Sequence, residues 1–494
     1  MLSQIEAVLL LLLLIIASLP LLAVTRVVLH PGIRSRLRGF PSIQRVIAIA
    51  IGSSMVALLL AALLFPAIVA AVASASLAIV FMELIRRRPS FGMKRGLPPG
   101  PLSMFSTAAW SNPRYYADAA SAHGNVFKFQ HLTRPAVGIV GISTIEQFLR
   151  AHAAHLEVPP APFNEIIPSG FVRYLSGRDH DRVATAIRAA LNPAVVAHHD
   201  CRLADEAVQA IDLLDEGKNI ESVLDELTLR IMLALFFDAG KNSDAKLRDL
   251  FHDADYRRLS VTGRTHATAA VRGIIDEMRF IALDNGRISF LSHLAKQDPA
   301  AINDDAILAN LAYSLHTGRL DVSGLLHWII ATAGSNPVSM QKLRDASELN
   351  PDSACRSGGL ADRMVRETLR LHQSEFLMRR TTKEIQFNDY RIPAGWHVRL
   401  CIAESHRSPE AFPDSAVFDP DRFLESRSRS TYAPFGFTPR ACPGEHLARV
   451  IGRHFLVALA RRPLLEISQD KPWEFTGFHW KPSSRMQLRL SHRS

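Results

Sequence analysis

The sequence predicts a mainly α body with a small β portion, carried behind hydrophobic N-terminal segments. Three observations predict it. The first 95 residues hold two long runs without a charge. From about 143 to 375, and again from Glu445 to Ala460, apolar residues recur at helical spacing. Short alternating or apolar runs bounded by turn residues occur at 125–141 and 376–400.

The 494 residues are 48% apolar, ample for a large core. The 21% of charged residues lies near the globular norm of roughly 25%. Cys201, Cys355, Cys401 and Cys442 lie far apart and form no CxxC pair. That spacing suggests neither a disulfide framework nor a zinc ribbon, and favours a reducing, cytosol-facing compartment. Of the formal charge of +10, residues 1–95 carry +8, from ten basic and two acidic residues. Basicity confined to the flanks of apolar segments excludes a nucleic-acid footprint on a folded face and matches membrane topology.

Residues 7–25 are uncharged and long enough to cross a bilayer as a helix. They exceed the roughly 7–15 residues of a signal-peptide core and have no basic stretch before them, so a retained anchor is expected rather than a cleaved leader. Residues 46–82 form a second uncharged run, too long for one span, and predict a hydrophobic hairpin turning near Pro66. The flanks at 26–45 and 86–95 are both basic, so both are expected on the cytoplasmic side, which an even number of passes satisfies. The expected organisation is a membrane anchor over 1–95, a proline-rich hinge over 96–101 and a catalytic body over 102–494. In the hinge, Gly96-Leu97-Pro98-Pro99-Gly100-Pro101, the prolines fix φ and keep the preceding residues out of the α region.

In the body, 125–130 and 135–141 read as a hairpin around Thr133-Arg134-Pro135. Helices are expected over 201–214, 222–238, 264–283, 303–333 and 360–372. Short strands with a turn at Ile392–Gly395 follow over 376–400, then a long irregular stretch over 401–441, then a helix over 445–460.

Residues 433–449 place Cys442 in a Pro- and Gly-rich loop just ahead of that last helix. Amides at a helix start and the positive end of its dipole favour a thiolate. Arg440, two residues earlier, can reach an anionic group. A small buried hydrophobe, or a zinc site with His446, is the plainer use of such a cysteine; zinc needs about four ligands.

The loop resembles the haem-binding signature of the cytochrome P450 superfamily, F-x-x-G-x-R-x-C-x-G. Phe435, Arg440, Cys442 and Gly444 stand at matching places, with Thr438 at the first glycine of the pattern. A non-glycine residue there is expected to follow the tight turn at a conformational cost. Glu367-Thr368-Leu369-Arg370 matches the family's E-x-x-R, and residues three apart on a helix share a face. Phe418 to Phe423 resembles the later motif, whose arginine is Arg422 here. The resemblance implies a Glu367/Arg370/Arg422 network bracing the cysteine loop, Cys442 as axial ligand of a haem b iron, and Arg379, Arg188 and Arg440 on the propionates. At Ala184, four residues before Arg188, the family usually has Trp or His; His180 lies one turn further back. The resemblance runs from about Leu97 to the C-terminus.

Counting back from Trp328, the family's small-Gly-x-acid-alcohol pattern falls on Thr317, Gly318, Arg319, Leu320 and Asp321. The acid position is apolar and the alcohol position holds an acid. Ser323, two residues on, is turned about 200° around the helix from Asp321. Since acid and alcohol steer protons to dioxygen in the family, Asp321 is the expected proton carrier, with Thr317 and Gly318 beside it. The thiolate pushes electron density toward O–O cleavage. The resemblance implies a membrane-bound monooxygenase that oxidises a lipophilic small molecule in secondary metabolism. It would take NADPH electrons through a flavoprotein reductase, on endoplasmic reticulum with its body facing the cytosol. An isomerase or dehydratase of the same fold and a non-catalytic membrane haem protein stay open as alternatives. Apolar stretches such as Phe163 to Phe171 do not name the substrate.

Overall fold

The computed structural model describes residues 96–491 except 104–105, 107, 113, 132–133, 160–169, 240–244, 254–260, 285, 374–376, 426–430, 463, 469–473, 476–479 and 483–485. The expected anchor segments at 7–25 and 46–82, and most of the Phe163 to Phe171 stretch, lie outside the described residues. Among the described residues no helix is long and apolar enough to cross a membrane. The chain divides into two units.

The first unit includes residues 96–139 and Arg380–Arg399. Helix α1 (Tyr115–His123) lays Tyr115 and Tyr116 edge-on against Phe129 of strand β1 (Val126–His131). β1 pairs antiparallel with β2 (Arg134–Val140), Phe127 opposite Gly138 and Gln130 opposite Pro135. Arg134 and Pro135, expected in the turn, are therefore strand residues. Proline lacks only its N–H, so it can lie in a strand where that donor is not needed.

The proline-rich hinge is non-helical, and it docks on β1. The Lys128 amide donates to Pro99 O at 2.7 Å, and its ammonium to Pro98 O at 2.7 Å. Gly100 has φ +118°, and a Cβ there would collide with the Lys128 carbonyl, so only glycine allows this approach.

Strand β3 (Leu377–Thr381) ends in this unit at Thr381. β4 (Ile385–Phe387) and β5 (Tyr390–Ile392) form a second hairpin, with Ile385 opposite Ile392. Asn388 and Asp389, at φ +48° and +61°, make its turn, a type that favours these residues. The expected Ile392–Gly395 turn follows, with Gly395 N bonded to Thr381 O at 2.8 Å, and leads into β6 (His397–Cys401).

The second unit is helical. Helix α2 (Gly177–Ala190) precedes α3 (Asp200–Asp215) and α4 (Ile220–Phe237). Asn219 caps α4 by accepting from Ser222 N, two residues earlier than periodicity alone suggested. Then come α5 (Val261–Ala282), α6 (Phe290–Gln297) and the long α7 (Asp305–Ser335). Asp304 caps α7 by accepting from Ala306 N and Ile307 N, and Asn336-Pro337 ends it. Leu227, Ile231 and Met232 of α4 and Leu311, Leu315, Leu325, Leu326 and Ile329 of α7 are buried in one cluster. Each such aliphatic side chain contributes roughly 1.5–3 kcal/mol by leaving water.

Helix α8 (Leu360–Thr368) opens into a π turn at Leu369–Gln373, short of the regular helix expected to 372. Helix α9 (Glu445–Ala460) matches its expected span. The stretch 401–441 also contains a helical turn at Ile402–Ser405 and a 3₁₀ turn at Pro420–Phe423. The second starts where Asp419 accepts from Asp421 N with Pro420 at the first position, a start signal inside a segment read as irregular. A pair of strands, β7 (Leu464–Ser468) and β8 (Gln487–Ser491), lies antiparallel.

Candidate active site

Cys442 lies two residues before Gly444, the N-cap of α9, and is exposed. Its amide donates to Phe435 O at 2.8 Å, closing the loop. The left-handed residue of the turn is Gly436, at φ +78°. Thr438 has no positive φ, so the cost expected of a non-glycine residue there does not arise; Gly436 carries the sharp bend two residues earlier. A Cβ on Gly444 would meet Cys442 Sγ at 3.6 Å, an ordinary contact, so the sulfur does not demand glycine there. None of the four cysteines, all among the described residues, is in a disulfide. Among the described residues no three His, Cys, Asp or Glu side chains gather as a metal-binding group.

Two arginines hold the loop from the α2 side. Arg188, exposed on α2, donates to Pro439 O. Arg440 donates to Arg173 O at 3.1 Å and Leu175 O at 2.6 Å. Burial pulls the Arg440 guanidinium below its ordinary value, and Asp181 opposes that. His180, the stand-in for the family's residue at Ala184, is buried with Nδ1 3.1 Å from Asp181 Oδ1. Arg379, on β3, is also buried, with Nη1 on Met378 O at 2.9 Å.

Segment 170–175 is clamped from a second direction. Asn310 of α7 accepts from Val172 N at 2.7 Å and donates to Gly170 O at 3.1 Å, while Phe171 packs on Tyr313 at 4.1 Å between ring centroids. One stretch of backbone thus joins α7 to the arginine of the cysteine loop.

Glu367, Arg370 and Arg422 come together. Arg370 grips Glu367 with two bonds of 2.7 and 2.8 Å, and Arg422 Nε adds a third at 3.0 Å. Glu367 also accepts from Asp419 N at 2.9 Å. Arg370 donates further to His406 O, Ser415 O and Val417 O. Glu367 and Arg370 are fully buried, so the desolvation of both charges is offset only because nearly every donor and acceptor is used.

His406 was not singled out by any motif. Its Nε2 accepts from Ala433 N at 3.0 Å, where the cysteine loop begins. Burial and the Arg370 charge hold its pKa down to about 3. Tyr432 beside it donates to Arg366 O at 2.9 Å, and burial keeps its phenol well above the ordinary value.

In α7, the Thr317 hydroxyl donates to Tyr313 O at 3.0 Å within its own helix. A Cβ on Gly318 would meet only Met232 Cε, at 3.6 Å. Asp321 is exposed. Ser323 is buried and donates to Asp225 Oδ1 of α4 at 3.0 Å, so the hydroxyl nearest in sequence faces a neighbouring helix.

A family profile described as Cytochrome P450 matches residues 280–488, which hold α7, the E-x-x-R network and the cysteine loop. Abscisic acid 8'-hydroxylase CYP707A1 from Solanum lycopersicum is 24% identical over 382 residues, 70% of this chain and 80% of the relative. This chain belongs to the cytochrome P450 superfamily. As a P450 it is a monooxygenase, an oxidoreductase acting on small molecules, and its family carries a haem iron held by a cysteine thiolate. Ent-kaurenoic acid oxidase 1 from Hordeum vulgare is 25% identical over 273 residues, 47% of the P450 and 55% of the relative. The solved structure of retinoic acid-bound cyanobacterial CYP120A1 shares the P450's fold with a TM-score of 0.66 at 16% identity, over 80% of this chain and 99% of that one.

Proposed function

We propose that this P450 is anchored in the endoplasmic reticulum membrane and hydroxylates a lipophilic carboxylic acid of secondary metabolism, with NADPH electrons delivered by a flavoprotein reductase. The observation that carries the reading is the loop of Cys442, tied by Arg188 and Arg440 to the α2 side and, at Ala433, to His406, whose carbonyl accepts from the Glu367 partner Arg370. The donor set fits a haem. The bonds of Arg188 and Arg440 described above go to backbone carbonyls, so their charge is available to propionates. Cys442 would hold the iron, with Arg188, Arg379 and Arg440 on the propionates and Phe435 and Gly444 shaping the loop. When bound, haem supplies the oxidising chemistry that no side chain can.

The chain's own residues set proton supply. Leu320 has no proton to give. The Thr317 and Ser323 hydroxyls already donate, to Tyr313 O and Asp225. Asp321, exposed on α7, is then the group that carries a proton, on its carboxylate oxygen, with Thr317 and Gly318 beside it. The acid substrate class draws on the names of the relatives: a hydroxylase of abscisic acid, an oxidase of ent-kaurenoic acid, and a structural neighbour bound to retinoic acid. The basic flanks of the anchor would seat the body on the cytosolic leaflet.

The test is a reduced carbon monoxide difference spectrum of the membrane-purified protein, then spin-shift titration with these three acids and their methyl esters. A thiolate-type band and a shift with an acid but not its ester are expected. A band without any shift, while a neutral terpenoid gives one, would sink the acid class; no thiolate band would sink the role of Cys442.

A further inference from the structure

We infer that His406 is the positioning residue that ties the Glu367–Arg370 ion pair to the loop carrying Cys442, by accepting the Ala433 amide on a neutral imidazole nitrogen. The inference rests on the reading of Cys442 as the iron's thiolate ligand.

His406 is held at one end and holds at the other. Its carbonyl takes Arg370 Nη1 at 2.8 Å, and its Nε2 takes Ala433 N at 3.0 Å. Residue and amide are both buried: His406 is 0% exposed and Ala433 5%. The ring is enclosed by Tyr432, at 5.2 Å between centroids, and by Phe412, at 6.0 Å and nearly perpendicular. From Ala433 the loop is stitched onward, Gly436 N to Ala433 O at 3.1 Å and Cys442 N to Phe435 O at 2.8 Å. A displacement at Ala433 therefore reaches the sulfur through a short backbone path.

Only the neutral ring can do this. An imidazolium carries N–H at both nitrogens and has no lone pair for an amide proton. Burial keeps the ring neutral, and the charge of Arg370, whose guanidinium stands over Phe412 at 5.1 Å, adds to that. The same arginine thus neutralises Glu367 and protects the acceptor state of His406. The plainer account is a histidine that merely fills space among Phe412 and Tyr432. The two accounts differ in what loss of the acceptor does to Ala433 and to the sulfur.

The experiment compares the full-length haem-loaded wild type with His406→Leu, His406→Gln and Tyr432→Phe. Leucine keeps apolar bulk and removes the acceptor; glutamine returns an oxygen near the place of Nε2. Tyr432→Phe removes the bond to Arg366 O and leaves the loop amide alone. The readouts are hydrogen exchange of the peptide bearing Ala433 and the position of the reduced carbon monoxide band per haem. His406→Leu should lose protection at Ala433 by about tenfold or more, as for a buried amide left without its acceptor. It should also move the band from the thiolate position to that of a neutral thiol. His406→Gln should recover most of both, and Tyr432→Phe should change neither while lowering the melting temperature. Unchanged protection and band in His406→Leu, or equal losses in Tyr432→Phe, would overturn the inference. If His406→Leu yields no folded protein, His406→Gln decides: wild-type protection and band support the strut, and a lost band with Ala433 fully protected refutes it. A wild type without the thiolate band would instead overturn the reading of Cys442, which the variants leave untouched.

Discussion

The E-x-x-R network and the middle of α7 are both charged places inside the helical unit, and they are built on opposite plans. Around Glu367 the charges are buried and gripped: two arginines and one backbone amide donate to a single carboxylate, and backbone carbonyls accept the remaining donors of Arg370. The middle of α7 lies nearer to solvent. Asp321 is exposed, Thr317 is turned onto its own helix, Ser323 faces α4, and Gly318 meets only ordinary contact. The first arrangement holds a shape. The second is where the proposed function puts the proton carrier. On that proposal stability and chemistry rest on different stretches, so variants in one should be separable from variants in the other.

The sharpest break of that contrast is Glu367→Ala. It strands Arg370 and Arg422 as buried cations, a loss of about 3–5 kcal/mol for a broken buried pair. The expected outcome is protein without haem, seen as no Soret band; a normal Soret spectrum would show that the network is not what holds the cysteine loop.

Acidification tests the same idea across both units. His131 and His397 in the first unit and His372 and His406 in the second are held neutral, chiefly by burial and then by neighbouring arginines, at about 4, 3, 3 and 3. Each folded pKa lies below the unfolded value of 6.5, so the unfolded chain binds more protons in between. Stability is therefore full above about pH 6.5 and falls as the pH drops toward 3–4. The urea midpoint should fall clearly between pH 7 and pH 5; an equal midpoint at both would show that these rings are hydrated.

Much of this was readable from sequence alone, for a physical reason. Helix spans follow from local periodicity, and Glu367 with Arg370 sits three apart on one turn. Cys442 and Arg440 are likewise neighbours in a loop whose composition is unusual. What was missed depends on partners far away in the chain. His406 acquires its role from Ala433, Asn310 from Gly170 and Val172, and Ser323 from Asp225 on another helix. No spacing rule encodes such meetings. The turn at Gly436 was missed differently: the family pattern drew attention to Thr438, while the backbone bends where a Cβ is absent.

On the chemical side, Asp321→Asn keeps size and removes the carboxyl group. If Asp321 carries protons, turnover should fall by about 10²-fold, the lower end for a general acid. Peroxide release per NADPH should rise and the melting temperature should not move. Unchanged turnover and coupling would take Asp321 out of the proton path.

The smallest effect on the fold is expected at Gly318, and it separates the two plans most cleanly. Glycine inside a helix is less favourable than alanine by roughly 1 kcal/mol. The added Cβ would sit 3.6 Å from Met232 Cε, which is ordinary contact with a flexible end. Packing therefore gives no reason for glycine at this position, and Gly318→Ala should leave thermal unfolding unchanged or raise it by up to about 1 kcal/mol. If the same variant loses turnover or its ligand-induced spin shift, the glycine serves the open face of α7 rather than the core. If it unfolds more easily, the contact with Met232 is tight after all, and the middle of α7 is as firmly packed as the Glu367 network.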